Sequence, residues 1–397
     1  MPKITIIGAG FAALTAIKEI RKHNKEADIT LISPKAEFIY LPSLIWIPSG
    51  RRTGDDLRID LAGFFNKCNV KHVAGMVTAI KNGGRTVVTD NDEIENDALL
   101  IASGGRFIKK LPGIEHAITI CEGIESAEKM RDKIKSMQSG TIALGFGGNP
   151  KEPSAMRGGP MFELLFGLDT QLRQEKRRDK FKLIFFSPAK KPGARLGEGA
   201  VKGIFKEMSK RGIDTHLGHK MKSFNENTDN SNDSNDSDDN NNNSSYKVIT
   251  EGGEFDTDLI IFMPGMTGPS FAANTEMPLS PGGLIQSNMQ CQIEGFEHCY
   301  VAGDAGSFPG PDWKPKQAHM ADLQAVAAVK NMLDELKGKA ATHTFKYELV
   351  CIIDSNNKGI LAFRNDKRTL VIPPFRLLHT AKKAFEWLYL RGYRKCR

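Results

Sequence analysis

The first residues with a spacing suited to chemistry lie in "KITIIGAGFAALTAIKEI", where an apolar strand runs into Gly8-x-Gly10-x-x-Ala13 and then into a helix-patterned stretch. The first glycine permits a tight turn, the second lets a pyrophosphate approach the backbone, and the small third residue lets helix pack on strand. The helix N-terminus would then offer unpaired N–H groups to phosphates. An ordinary tight strand-to-helix turn has the same residues, but the position at the N-terminus and the following strand "DITLIS" favour a dinucleotide site. The acid expected at the end of that second strand, to hold ribose hydroxyls, is Ser33, a weaker hydrogen-bonding partner.

Two more segments follow in order. "ALLIASGG", residues 98–105, ends a strand at Ala102 and Gly104 and resembles the segment where two-dinucleotide flavoproteins leave their first domain. "GFEHCYVAGDAGSFPG", residues 295–310, ends an apolar strand in Gly303-Asp304 and resembles a second FAD fingerprint, in which the acid binds the ribityl chain. Alone, the first reads equally as a buried strand with a glycine turn, and Asp304 as a helix N-cap. The three together, in this order, point to FAD. Next comes "PDWKPKQAHMADLQAVAAVKNML", a helix preceded by Lys316. Dipole and cation there would stabilise negative charge on a reduced flavin, whereas a solvated first-turn lysine is the plainer alternative.

The elements that must position these residues belong to a chain of 397 residues with 40% hydrophobic content, enough for two or three domains. No apolar run approaches the roughly 18 residues that span a bilayer. No signal peptide precedes the first strand, so the expected location is cytoplasmic, or on a membrane from that side. Net charge is +8. Residues 225–245, "NENTDNSNDSNDSDDNNNNSS", hold six acids and no Lys or Arg, so the rest of the chain carries about +14 and should favour anionic surfaces. That stretch lacks apolar residues and is expected to be a disordered insertion between two strands of a hairpin, "HKMKSF" and "YKVITEGG". No nucleic-acid motif accompanies the charge.

The six cysteines are scattered without a C-x-x-C pair, which argues against a zinc site or disulfide framework. Cys121, in "AITICEGIESAEKM", falls between a strand and a helix, where a helix N-terminus would depress its pKa. A single buried cysteine is otherwise an inert small hydrophobe, which is the reading for Cys68, Cys291, Cys299 and Cys396.

Nearly end to end, the chain resembles the sulfide:quinone oxidoreductases among the disulfide-reductase-like flavoproteins. The likeness rests on "ITLIS" followed by Phe38-Ile39-Tyr40-Leu41-Pro42, "IASGG", "GFEHCYVAGD", "KPKQAHM", and Cys351 in "YELVCIIDSNNKG". It implies an α/β protein with two Rossmann-like domains: an FAD domain from 1–106 and 266–335, a second domain from 107–265, and a quinone- and membrane-associating region from 336–397. It also implies that Gly8, Gly10, Ala13, Ser33, Ala102, Gly104, Gly303, Asp304 and Lys316 hold FAD, and that Cys351 and Cys121 carry the redox chemistry. The reductant would be sulfide or another small donor, and the acceptor a membrane quinone.

The segment "GFGGNPKEPSAMRGGPMFE", residues 145–163, bears on the donor. An NADH-using relative should turn directly through G-x-G-x-x-G into a helix. Here Pro150, Pro153 and Pro160 remove N–H groups that a pyrophosphate would need, and the next strand, "KLIFFSPAKK", ends at Ser187 without an acid. Both features resemble the sulfide-oxidising branch. That branch usually has a redox cysteine just before the position of Glu163, yet Met156 and Arg157 stand there. Cys351 would then pair with Cys121, or act alone with Arg157 stabilising a persulfide. The alternatives are a type II NADH:quinone oxidoreductase, or a non-enzymatic basic flavoprotein.

"PPFRLLHTAKKAFEWLYLRGYRKCR" closes the chain as a helix with Leu377, Leu378, Ala381, Phe385 and Leu388 on one face and Arg376, Lys382, Lys383 and Arg391 off it. Trp387, Tyr389 and Tyr393 suit a membrane interface, so an in-plane lipid-binding helix is expected, with packing on the core as the alternative.

Overall fold

The computed structural model describes residues 1–227 and 245–395; residues 228–244 of the expected insertion, and Cys396, lie outside the described residues. Short apolar runs with little polar alternation form parallel strands buried on both faces. In the first sheet the spatial order is Cys299–Val301, Ala98–Ile101, Lys3–Ile7, Asp28–Ser33, Val70–Ala74, all parallel. Register explains how distant segments meet. Ile7 lies opposite both Ile32 and Ile101, and Val301 lies opposite Ile101. The residues just beyond these positions, Gly8, Ser33, Ala102 and Gly303, therefore collect at the carboxyl edge of one sheet, the edge where open α/β sheets bind ligands.

A second parallel sheet has the order Ala117–Ile118, Leu259–Met263, Gly140–Phe146, Phe181–Ser187, Asp214–Leu217. Its strand Gly140–Phe146 leads into the proline-containing segment, and the helix that follows begins only at Gly159. The expected hairpin forms: Met221–Glu226 pairs antiparallel with Tyr246–Thr250, with Glu226 opposite Tyr246. The overall class is α/β with two Rossmann-like sheets, completed by an antiparallel sheet of Glu348–Asp354, Gly359–Asn365 and Thr369–Phe375 and then the helix Arg376–Arg394.

That last helix is turned opposite to an ordinary core-packing helix. Leu377, Phe385 and Leu388 are 64%, 60% and 61% exposed, whereas Glu386, Leu390 and Tyr393 are buried. Packing on the core therefore does not account for the apolar stripe. Tyr393, expected at a membrane interface, is instead fully buried, its ring 5.2 Å from that of Phe64 and 6.0 Å from that of Phe38. Among the described residues no helix is long and apolar enough to cross a membrane.

Candidate functional site

Gly8 has φ +104°, and a Cβ there would lie 2.5 Å from the Ala102 carbonyl oxygen, so both conformation and contact require glycine. A Cβ at Gly10 or at Gly104 would meet nothing within 4 Å, so both turns face open space. No side chain caps the first helix, Phe11–His23, and Ala13 is fully buried against the sheet. This is the arrangement a pyrophosphate needs: free N–H groups, room beside the backbone, and no side chain in the way. Ser33 is engaged otherwise. Its hydroxyl donates to the Lys35 carbonyl at 2.8 Å and lies 3.0 Å from His72 Nε2, a partnership that the sequence reading did not foresee.

At the far end of the edge, Asp304 is not the cap of a helix. Its carboxylate is buried and accepts a hydrogen bond from the Arg157 guanidinium, 147 residues away. Burial opposes the charge of Asp304, but Arg157 and Lys316 outweigh that cost and hold its carboxyl below the usual range. Lys316 is not a solvated first-turn lysine either. Its ammonium donates to the carbonyls of Asp304 at 3.2 Å and Gly306 at 2.7 Å, and burial brings its pKa down to about 8. Gly303, Asp304, Lys316, Gln317 and Gln324 line one cleft beside the start of the helix Ala318–Glu335, which has no side-chain cap. Together these residues fit FAD, whose phosphates suit the glycine turn and whose polar groups suit the cleft.

The proline-containing segment is pressed onto the first domain. Asn149 Nδ2 donates to the carbonyls of Met266 and Gly282, each at 2.9 Å. Glu152 accepts from Ser154 at 2.6 Å and from Ser307 at 3.1 Å. A Cβ at Gly282 would lie 2.1 Å from that of Glu152, and one at Gly265 would lie 2.3 Å from the Gly148 carbonyl carbon. The stretch between Phe146 and Gly159 is thus a packed bridge rather than a tight turn open to phosphate.

Cys351 meets the first turn of the helix Gly159–Gln174, where a Cβ at Gly159 would lie 3.6 Å from its sulfur. Burial pushes its thiol up to about 12, Glu163 adds to this, and Lys382 opposes it. Burial also raises Glu163 above the ordinary carboxyl range, against the pull of its partner Lys382. Glu163 Oε1 accepts from the Lys382 ammonium and, at 2.9 Å, from the Asp354 backbone N–H. Asp354 in turn lies 2.7 Å from His379 Nδ1 and accepts from Trp46 Nε1 at 3.2 Å. No local spacing announced this cluster, because its members come from four separate elements.

Cys121 sits in the turn Ile120–Glu122, ahead of the helix that begins at Ile124 and is preceded by Gly123. The expected depression of its pKa is therefore overturned: burial raises it, and only the nearby Arg157 works in the other direction. Cys121 and Cys351 are both free thiols, on either side of the segment that holds Arg157 and Glu163. Cys291 and Cys299 are buried in the core, and Cys68 packs against it.

Residues 2–147 match the family model described as pyridine nucleotide-disulphide oxidoreductase. The chain is 22% identical over 407 residues to the sulfide-quinone reductase of Aquifex aeolicus (strain VF5), covering 98% of this chain and 90% of that protein. It is 23% identical over 365 residues to a type II NADH:quinone oxidoreductase of Staphylococcus saprophyticus, covering 87% and 85%. Its fold superposes on the X-ray structure of the sulfide:quinone oxidoreductase from Aquifex aeolicus with a TM-score of 0.86 at 21% identity, over 100% of this chain and 92% of the other. With the glycine turn and the Asp304–Lys316 cleft, these findings identify an FAD-binding flavoprotein, and the resemblance drawn from the motifs stands.

Proposed function

From the premise that this chain is an FAD-dependent oxidoreductase of the pyridine nucleotide-disulphide type, we propose that it oxidises sulfide at Cys351 and delivers the electrons to a membrane quinone. The relationship that carries the reading is the sequence of contacts Cys351, Glu163, Lys382, which runs from a buried thiol to a helix with an outward apolar face.

In the net reaction, hydrosulfide and the Cys351 thiol become a cysteine persulfide anion, releasing two electrons and two protons. A quinone that gains both becomes a quinol. Bound FAD supplies a carrier that takes and gives electrons in pairs. The chain's own residues bind, shield and move protons. Cys351 rests as a neutral thiol, and Glu163 beside it is placed to receive its proton. Lys382 balances the charge of Glu163, and the Asp354–His379 pair holds the same helix in place. The apolar stripe Leu377, Phe385, Leu388 would rest in lipid, with Arg376, Lys383 and Arg391 drawn to anionic headgroups. A lipid-soluble acceptor then reaches the site without crossing water.

The curated relatives include both a sulfide-quinone reductase and type II NADH:quinone oxidoreductases, which keeps NADH as the second reading of the donor. The packed bridge from Gly147 to Gly158 favours sulfide, since it leaves no tight glycine turn for a second pyrophosphate. Anaerobic titration of the flavin-loaded protein decides between them. Sulfide should bleach the flavin and NADH should not, and Cys351→Ser should abolish the sulfide response while keeping FAD bound. Bleaching by NADH alone would replace this reading with the second.

A further inference from the structure

Arg157 is the one cation set between two acidic functions of different origin. Its guanidinium is bonded to the buried carboxylate of Asp304, at the edge of the first sheet. The same guanidinium is within hydrogen-bond reach of the Cys121 sulfur, which lies next to the second sheet. We propose that Arg157 is a shared counter-ion that couples the flavin-binding carboxylate Asp304 to the Cys121 thiolate, making Cys121 a reactive thiol of the donor site and Arg157 its positioning residue.

A guanidinium has five N–H donors in a rigid fork, so it can bond both partners at once. It has only one positive charge, however, and whichever partner draws it closer deprives the other. Lys316 does not relieve this competition through direct bonding, because its ammonium is used on the Asp304 and Gly306 carbonyls. The other charged groups facing Cys121 are Glu163 and Asp304, both of which disfavour a thiolate. Its turn neighbour Glu122 is paired with Lys109 at 2.6 Å. Arg157 is therefore what makes ionisation of Cys121 feasible. Hydrogen bonds from a ligand to Asp304 would satisfy that carboxylate and release more of the guanidinium to the sulfur. The inference rests on the proposed reading of the site as a place where a sulfur donor meets a flavin, and it concerns the second thiol rather than Cys351.

The test is the pH profile of Cys121 alkylation by iodoacetamide in flavin-loaded protein, followed by peptide mass spectrometry with Cys351 as the internal reference. Arg157→Met should move the Cys121 midpoint upward by about one unit or more, slowing modification at neutral pH about tenfold. Arg157→Lys should restore most of the rate, which a merely structural role would not explain. Asp304→Asn, with FAD in excess, should shift Cys121 in the opposite direction. An unchanged midpoint in Arg157→Met, or shifts of the same sign in Arg157→Met and Asp304→Asn, overturns the proposal. The readout needs no electron donor, so it fails separately from the functional reading. A protein that ignores sulfide yet shows the opposite shifts keeps this coupling and loses that reading.

Discussion

Lys382, on the C-terminal helix, is hydrogen-bonded to Glu163, which lies 219 residues earlier at the start of the helix Gly159–Gln174. Both side chains are largely withdrawn from water, at 14% and 8% exposure. A buried pair adds little net stability, but removing one member leaves an uncompensated charge. Lys382→Met should therefore destabilise the protein by about 3 kcal/mol at neutral pH, the low end of that range because Glu163 can take up a proton. The double variant Glu163→Gln/Lys382→Met should recover most of the loss in a thermal melt. Equal losses in the single and double variants would show that Lys382 contributes through packing rather than charge.

Gly10 and Gly8 should respond differently to substitution, although both belong to one motif. Open space surrounds Gly10, so Gly10→Val should fold normally and melt like flavin-free wild type, yet purify colourless. Gly8→Val should lower the melting temperature itself, because the side chain would collide with the Ala102 carbonyl in a positive-φ conformation. If Gly10→Val retains a full complement of flavin, the phosphates do not lie at this turn.

The glycine turn, the strand ends and the two parallel sheets were legible in the sequence because each is written in a few consecutive residues. Register then brings Gly8, Ala102 and Gly303 together without further instruction. Contacts between distant segments were not legible. Nothing near Arg157 announces Asp304, and nothing near Lys382 announces Glu163, since side-chain pairing across sheets has no local period. Cys121 shows a related limit. Its place between strand and helix suggested an ionised thiol, but burial, a property of the whole fold, dominates. Helical periodicity correctly grouped Leu377, Phe385 and Leu388 on one face, yet it could not say whether that face turns inward or outward.

Asp322 provides a pH signature. It lies on the helix Ala318–Glu335 and accepts from Thr15 Oγ1 on the first helix at 2.6 Å. Burial raises its pKa to about 6, more than the Thr15 bond and the nearby His319 and Lys18 lower it. The folded form then binds this proton more tightly than the unfolded chain. Its stabilising contribution is complete below about pH 4 and is lost as pH rises through about 6. Asp322→Asn, which keeps an acceptor for Thr15, should raise the melting temperature by a few degrees at pH 7 and leave it nearly unchanged at pH 4. An equal effect at both pH values would mean that the carboxyl is not titrating between them.

The C-terminal helix offers the most direct test of membrane contact, provided the variant spares its inner face. Truncation at Phe375 is a poor choice, since it also removes Leu390 and Tyr393 from the core, each a loss of about 1.5–3 kcal/mol. It would also break the bond from Arg52 Nε to Glu386 at 2.8 Å and that from the Ser43 hydroxyl to Glu386 at 2.5 Å. The triple variant Leu377→Gln/Phe385→Ser/Leu388→Gln changes only side chains that are more than half exposed. It should keep its flavin and melt within a degree or two of wild type, because no core contact is touched. Wild type should co-sediment with vesicles containing anionic lipid, and the triple variant should remain in the supernatant. Salt alone should weaken wild-type binding without abolishing it, because the cationic residues are screened while the apolar contact is not. If the triple variant still sediments with the vesicles, the apolar stripe is not the anchor, and the basic surface alone accounts for the attachment.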